Sequence, residues 1–260
     1  MQKIKYIHTK KVHNPNAARE IVPIILDIFS PKSVIDIGCG LGSWLKVFKE
    51  LGVNDILGVD GEYVKRNLLN IKKNEFISAD LSKKFNIKKK YDLVLSLEVA
   101  EHIPEKNSDT FIENLVNHGN LILFSAAIPF QCGQNHLNEQ WPEYWDTKFK
   151  KFGYSVYDII RPKIWDNEKI EYYYRQNMFV YAKKNFLKLK EDTLAISYVH
   201  PYLWEFYNKT TNKQLAYLKK RVIEYEEGYI GIYLSIQIIK KAIIKKIRKI
   251  FKTMKKSNLI

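Results

Sequence analysis

The chain has 260 residues, 46% apolar and 13% aromatic, with a formal charge of +15. That length can bury one sizeable core plus an appendage, and that composition excludes a disordered chain. Two cysteines, Cys39 and Cys132, make no disulfide framework and point to a reducing compartment, the cytoplasm. The opening stretch, MQKIKYIHTKKVHNPN, lacks the apolar segment of a secretory signal. The charge is uneven: residues 1–184 carry 27 Lys/Arg against 22 Asp/Glu, and residues 185–260 carry 16 against 6. Most of the excess therefore belongs to an appendage, which predicts a main domain over 1–184 and a basic helical segment over 185–260.

In chain order, Pro15 to Phe29 reads as a helix with Asn14 as N-cap, an apolar stripe of Ile21, Ile24, Ile25 and Ile28, and a break or kink at Pro23. Val34 to Ile37 is a buried strand, and a helix begins at Ser43. Ile56 to Val59 is a second strand ending in Asp60. A short helix over Val64 to Leu69 leads to a third strand, Glu75 to Ser78, followed by Asp80. A fourth strand spans Tyr91 to Leu97, a helix Phe111 to Val116, and a fifth strand Asn120 to Ser125. This alternation predicts a doubly wound, mostly parallel α/β sheet, with ligands at the carboxyl ends of the strands. The last two strands, Tyr154 to Ile160 and Met178 to Ala182, have no helix-length crossover between them and are expected to pair antiparallel. Seven strands result.

The stretch around the first turn, SVIDIGCGLGSWL, places Asp36 before Gly38, Gly40 and Gly42. Glycines there let the backbone turn sharply and a ligand approach closely. An acid ahead of them would repel a pyrophosphate and suits a cationic ligand. Asp60, about 20 residues on, can accept from both hydroxyls of a ribose. The stretch resembles the first motif of class I S-adenosylmethionine-dependent methyltransferases, and the order of elements extends the resemblance over roughly residues 15–184. It implies a Rossmann-like methyltransferase fold with an antiparallel last strand. It also implies S-adenosyl-L-methionine as cofactor, with the methionine part held by Asp36, Gly38, Gly40 and Gly42, the ribose by Asp60, and the adenine by Asp80 and Leu81. As a bare sequence, Asp80-Leu81-Ser82 reads equally as a turn cap.

Glu98, Glu101 and His102 follow the fourth strand, beside the expected cofactor. Histidine is matched in pKa to removing a hydroxyl proton, although Glu101 and His102 could instead only line the cofactor, which Glu98 and His102 are expected to contact. The loop after the fifth strand, SAAIPFQCGQNHLNEQWPEYW, offers Gln131, Asn135, His136, Glu139 and Trp141. Amides, a carboxylate and aromatic faces suit a polyhydroxylated acceptor, with His136 and Glu139 the candidate catalytic pair. A polar loop packed by its own tryptophans is the alternative. This loop and SLEVAEHIP resemble sugar O-methyltransferases of bacterial capsule biosynthesis, including those acting on heptose, which implies a sugar or nucleotide-sugar acceptor. Cys132 departs from that pattern, in which glycine is commoner. Between the last strands, Arg161, Tyr173 and Arg175 could close over the acceptor and pair with a phosphate, or simply cover the sheet edge. No metal ligands are assigned.

Residues 201 to 227 read as helix, broken near Gly228 and Gly231. From Ile236, an apolar stripe of Ile239, Ile243, Ile247, Ile250, Phe251 and Met254 is interleaved with nine basic residues over 240–256. The segment is too charged to span a bilayer and suits an anionic membrane surface, a second copy of the chain or the main domain. A nucleic-acid methyltransferase is the rival enzyme reading. The fourth strand ends in Leu97-Glu98-Val99 rather than the Pro-Pro-aromatic run of base-amine methylation, so nucleic acid is not favoured as partner. A membrane-associated scaffold with a vestigial fold is the non-enzyme reading, and the intact acid and glycine set argues against it.

Overall fold

A computed structural model describes residues 14–189, 195–226 and 235–246. Helix α1 (Asn16–Phe29) leads into strand β1 (Ser33–Ile37), then α2 (Ser43–Glu50), β2 (Asp55–Asp60), β3 (Phe76–Ser78) and β4 (Leu93–Leu97). Helix α3 (Ser108–His118), β5 (Leu121–Ser125), α4 (Pro142–Lys151) and β6 (Tyr154–Tyr157) follow. Short helices α5 (Arg161–Ile164) and α6 (Tyr172–Asn177) precede β7 (Phe179–Lys183), and α7 spans Pro201–Glu226. The seven strands form one sheet in the order β3-β2-β1-β4-β5-β7-β6. Pairs among β1 to β5 are parallel, and β7 runs antiparallel to both β5 and β6. The expected sheet, including its reversed last strand, is thus present.

Strand residues alternate between two cores. Val34, Leu93, Leu95, Leu121 and Leu123 pack with α1 and α2 on one face. Ile35, Ile37, Val94, Ile122 and Phe124 pack with Phe111, Leu115, Trp145 and Phe149 of α3 and α4 on the other. Burial on both faces explains why these strands read as continuous apolar runs. Because the strand order reverses between β1 and β4, their carboxyl ends diverge and leave a crevice at that edge.

Three local expectations are corrected. Helix α1 runs unbroken through Pro23, which is exposed, and its buried face is Ala17, Ala18, Ile21, Val22 and Ile25, with Ile24 and Ile28 half-buried. Its N-cap position is Pro15; Asn14 still contributes, its Oδ1 accepting from Asn16 N–H at 2.9 Å. Residues 64–69 are turns, not a helix. Val64 N–H donates to Gly61 O and Leu68 N–H to Lys65 O, closing single turns, and just past the segment Asn70 N–H donates to Leu41 O in the glycine turn. The polar stretch after Trp141 is helix α4, anchored by Trp145 and Phe149 one turn apart.

Arg161 is a strut of the core rather than a phosphate ligand. It is buried, its guanidinium paired with Asp158 through Nε–Oδ1 at 2.8 Å and through Nη2–Oδ2, and it donates to Gln176 O at 3.1 Å. It also lies 3.9 Å from the Phe179 ring centroid, a cation–π contact. Arg175 is buried as well and donates to Trp165 O at 3.1 Å.

The chain divides into two compact units, Met1–Leu203 and Trp204–Ile260. In the second, the helical residues 235–246 hold Ile236, Ile239 and Ile243 with Lys240, Lys241, Lys245 and Lys246. The predicted break at Gly228 and Gly231, the stripe from Ile247 onward and the remaining basic residues lie outside the described residues. Among the described residues no helix is long and apolar enough to cross a membrane. Removing one partner of a buried ion pair strands the other charge, so Arg161→Ala is expected to lower the unfolding free energy by about 3–5 kcal/mol. Urea denaturation measures this; a loss near zero would mean that Asp158 is fully rehydrated.

Candidate active site

The glycine turn is built by backbone conformations that side chains resist. Gly38, Gly40 and Gly42 all have positive φ (+96°, +54° and +76°). At Gly38 the space is also closed, since a Cβ there would sit 2.3 Å from Val99 Cγ2. The turn is bolted to β2: Gly38 N–H donates to Val59 O at 2.8 Å, and Gly40 N–H to Asp60 Oδ2 at 2.7 Å. Asp60 Oδ1 accepts from Gly61 N–H and from the Tyr63 hydroxyl, both at 2.6 Å.

Asp36 and Asp60 are both buried, and among the described residues neither takes part in an ion pair. Burial pushes the Asp36 carboxyl well above the usual carboxylate range, and the charge of Asp60 pushes it further. Two buried acids beside a side-chain-free turn want a ligand carrying a positive charge and hydroxyl donors. S-adenosylmethionine has both, in its ammonium and sulfonium groups and in its ribose, so the residues present fit it. Asp80 is exposed and accepts from Ser82 N–H at 3.1 Å and the Ser82 hydroxyl at 2.6 Å, with Lys83 at 3.1 Å. It therefore caps a turn, and those hydrogen bonds hold its pKa down. Leu81 is buried in the core that also holds Val59, Val99 and Ala100.

Glu98, just past β4, has φ +55°. Its N–H donates to Ser125 O at 3.0 Å, and its carboxylate accepts from Gln131 Nε2 at 2.8 Å and Asn177 Nδ2 at 3.2 Å. Gln131 Oε1 in turn accepts from Asn177 Nδ2 at 2.8 Å and Gln176 Nε2 at 3.3 Å. Gln176 was missed by sequence reasoning, and Asn177 was read only as part of the insertion that could close over the acceptor, not as a partner of Glu98. Only the antiparallel return of β7 beside β5 carries α6 to this edge, and no local pattern announces that. Burial raises the Glu98 carboxyl, with these amides opposing the rise.

The loop after β5 is latched onto Glu101, whose carbonyl accepts from Leu137 N–H at 2.8 Å and Asn138 N–H at 2.9 Å. Glu139 staples the same loop, accepting from Phe130 N–H at 2.8 Å, Cys132 N–H at 3.1 Å and His136 Nδ1 at 2.7 Å. Cys132 stands at φ +60°, a left-handed conformation that favours glycine. His136 packs edge-on to His102, ring centroids 5.0 Å apart, and burial holds His102 down at about 4. A Cβ on Gly133 would lie 2.0 Å from His136 Nε2, so only glycine leaves room for that ring.

The fold thus brings Glu98, Glu101, His102, Gln131, Asn135, His136 and Glu139 together. It leaves Trp141 half exposed at the start of α4, and Arg161 and Arg175 in the core. Tyr172 lies within electrostatic reach of Glu98 and Glu139, and burial raises it to about 12.

The raised Asp36 pKa sets a pH dependence. The folded protein holds a proton there that the unfolded chain releases in the ordinary carboxylate range. The associated stability is full at low pH and is lost as pH rises through the raised value. A cationic ligand favours the ionised form, so affinity for S-adenosylmethionine is expected to rise over that same interval, and Asp36→Asn to flatten the rise. Calorimetric titration across pH measures both; a wild-type affinity that does not change with pH would remove Asp36 from the cationic end of the pocket.

Residues 11–161 match the family model of the methyltransferase domain. The chain is 27% identical over 144 residues to the mitochondrial ubiquinone biosynthesis O-methyltransferase of Dictyostelium discoideum, covering 48% of this chain and 43% of that protein. It is 34% identical over 147 residues to a viral protein named as a methyltransferase, 235L of Invertebrate iridescent virus 6, covering 52% of each. The chain spans about half the length of the curated relatives it matches. Among solved structures, Streptomyces venezuelae DesVI aligns with a TM-score of 0.50 at 12% identity, over 65% of this chain and 91% of that one, a likeness of fold. With the matched region running from before α1 to the start of α5, the chain belongs to the methyltransferase-domain family.

Proposed function

We propose that the protein is an S-adenosylmethionine-dependent O-methyltransferase acting on a hydroxyl of a sugar or nucleotide-linked sugar, a GDP-heptose being one such acceptor, in the assembly of a surface polysaccharide in the cytoplasm. The observation that carries this reading is the juxtaposition of the acid-lined glycine turn with a histidine–carboxylate cluster at the same sheet edge. Bound S-adenosylmethionine supplies a methyl group activated on a sulfonium. Held at the glycine turn, it would let the acceptor oxygen displace sulfur at that carbon, the C–S electron pair remaining on sulfur. The hydroxyl proton leaves toward the cluster of His102, His136 and Glu139.

The residues on hand suit a polyol. Gln131 and Asn135 bring amides to the expected acceptor side and Tyr172 an aromatic ring within reach of Glu98 and Glu139, and the loop from Gln131 to Trp141 holds no apolar run for a lipid or flat aromatic acceptor. Glu139 fixes the His136 ring from one side, which is the arrangement that general acid–base chemistry needs.

His136→Ala is expected to lower turnover by about 100-fold or more with cofactor affinity kept, because the ring faces the acceptor side of the site. Labelled S-adenosylmethionine incubated with a panel of nucleotide sugars supplies the assay. Wild-type turnover in the variant would show that the loop is only structural, and a panel without any methylated product would sink the sugar reading.

We further propose that residues 236–256 bind an anionic membrane surface, on the strength of the acid-free basic stripe in the sequence. Each cation near such a surface contributes about 1 kcal/mol, screened within a Debye length of about 10 Å at 0.1 M salt. The full chain should float with phosphatidylserine vesicles at low salt, and a chain ending near Tyr229 should not. Sedimentation of both distinguishes the alternative, self-association. Failure of the full chain to float ends the membrane proposal.

A further inference from the structure

We propose that Glu101, His102 and His136 form a binding site for one divalent transition-metal cation, of the Mn(II), Fe(II), Co(II) or Zn(II) class. One ligand atom from each residue lies within 4.8 Å of the others. Ligands of such a cation sit about 2.0–2.2 Å from it and about 3 Å from one another, a separation that modest side-chain rotations reach. Two imidazoles and a carboxylate, without a thiolate, form a borderline donor set that selects this class over calcium or copper(I).

Three observations beyond proximity support the site. Glu101 is 1% exposed, and neither carboxylate oxygen has a hydrogen-bond partner of good geometry. The nearest N–H groups, its own and that of Ala127, are only close. A buried carboxylate in that state must either hold a proton or face a cation. The two histidines are also pre-set as ligands. His102 Nδ1 meets the Asn135 carbonyl at 3.2 Å, and His136 Nδ1 meets Glu139 Oε1 at 2.7 Å. Both partners only accept, so in the neutral rings each Nδ1 carries the proton and each Nε2 keeps the lone pair. A backbone carbonyl behind one imidazole and a carboxylate behind the other is the outer support that metal-binding histidines use. Glu139 is itself fixed by the Phe130 and Cys132 N–H groups, so the support is rigid. Finally, Glu98 stands within electrostatic reach of both His136 and Glu101, adding negative charge that favours a cation.

The consequence for catalysis rests on the methyltransferase reading. A cation at these residues would take the acceptor hydroxyl as a further ligand and lower its pKa. The proton would then pass to water as the oxygen forms its bond to the methyl carbon and the C–S pair stays on sulfur. On this inference the imidazoles act as ligands in place of the proton-accepting role given to the cluster above, and loss of either would abolish turnover by loss of the cation.

The test uses the full chain without an affinity tag, stripped of metal by a chelator. Titration with Mn(II), followed by the paramagnetic resonance of the free ion, should show one bound cation per chain, and Co(II) should give a visible absorption band. His102→Ala, His136→Ala and Glu101→Gln should each weaken binding at least tenfold, and Glu139→Gln by about 10–100-fold through its hold on His136. Binding of S-adenosylhomocysteine by each variant serves as the fold control. A wild-type protein that binds S-adenosylhomocysteine but takes up neither metal overturns the site, as does metal binding that survives all three ligand changes in folded variants. Metal binding without cofactor binding would leave the site standing and defeat the methyltransferase reading. Full turnover in the chelated enzyme would overturn the catalytic role.

Discussion

Carboxyl groups are costly to bury, yet Asp36, Asp60 and Glu101 all lie out of solvent along the carboxyl edge of one parallel sheet, with Glu98 nearly so. Much of the architecture serves to keep them there. The glycine turn exists to bring the Gly40 N–H onto Asp60. The Glu101 carbonyl receives the loop after β5. The reversed strand β7 returns α6 so that Asn177 and Gln176 can satisfy Glu98 and Gln131. Each acid is placed by backbone that is fixed elsewhere, and the unmet electrostatic demand is left facing the crevice between β1 and β4.

The insertion between β6 and β7 has a different job from the one its charges suggest. Arg161 and Arg175 spend their donors on Asp158, Gln176 O and Trp165 O. They hold the short helices α5 and α6 against the sheet end, and so hold the amides that orient Glu98. Their effect on the site is positional. The insertion's Tyr172 is the side chain that comes within electrostatic reach of Glu98 and Glu139.

Much of this was legible from the chain. Apolar runs of four to six residues gave all seven strands, because burial on both faces leaves no polar alternation to confuse the reading. The glycine turn with Asp36 before it and Asp60 beside it was legible because its conformation is set by local backbone. What failed was non-local. The apolar residues of 64–69 suggested a helix, but their N–H groups close single turns. Helix α4 was hidden by its lysines, since only Trp145 and Phe149 commit it to the core. The burial of Arg161 depends on partners that composition cannot reveal. The meeting of Glu101 with His136 depends on the loop folding back across β4, which spacing alone does not encode.

The hydroxyl of Tyr63 occupies Asp60 Oδ1, on the carboxylate that the family resemblance assigns to a ribose. A ribose arriving there cannot simply add a hydrogen bond; it must exchange one. The net gain at Asp60 is then the difference between two donors, which is much smaller than a full charge-assisted bond. Tyr63 is half exposed on a turn rather than locked in the core, so it can yield the position and later retake it. Such an occupant would keep the acid satisfied between turnovers and help spent nucleoside to leave, trading tightness of grip for ease of release.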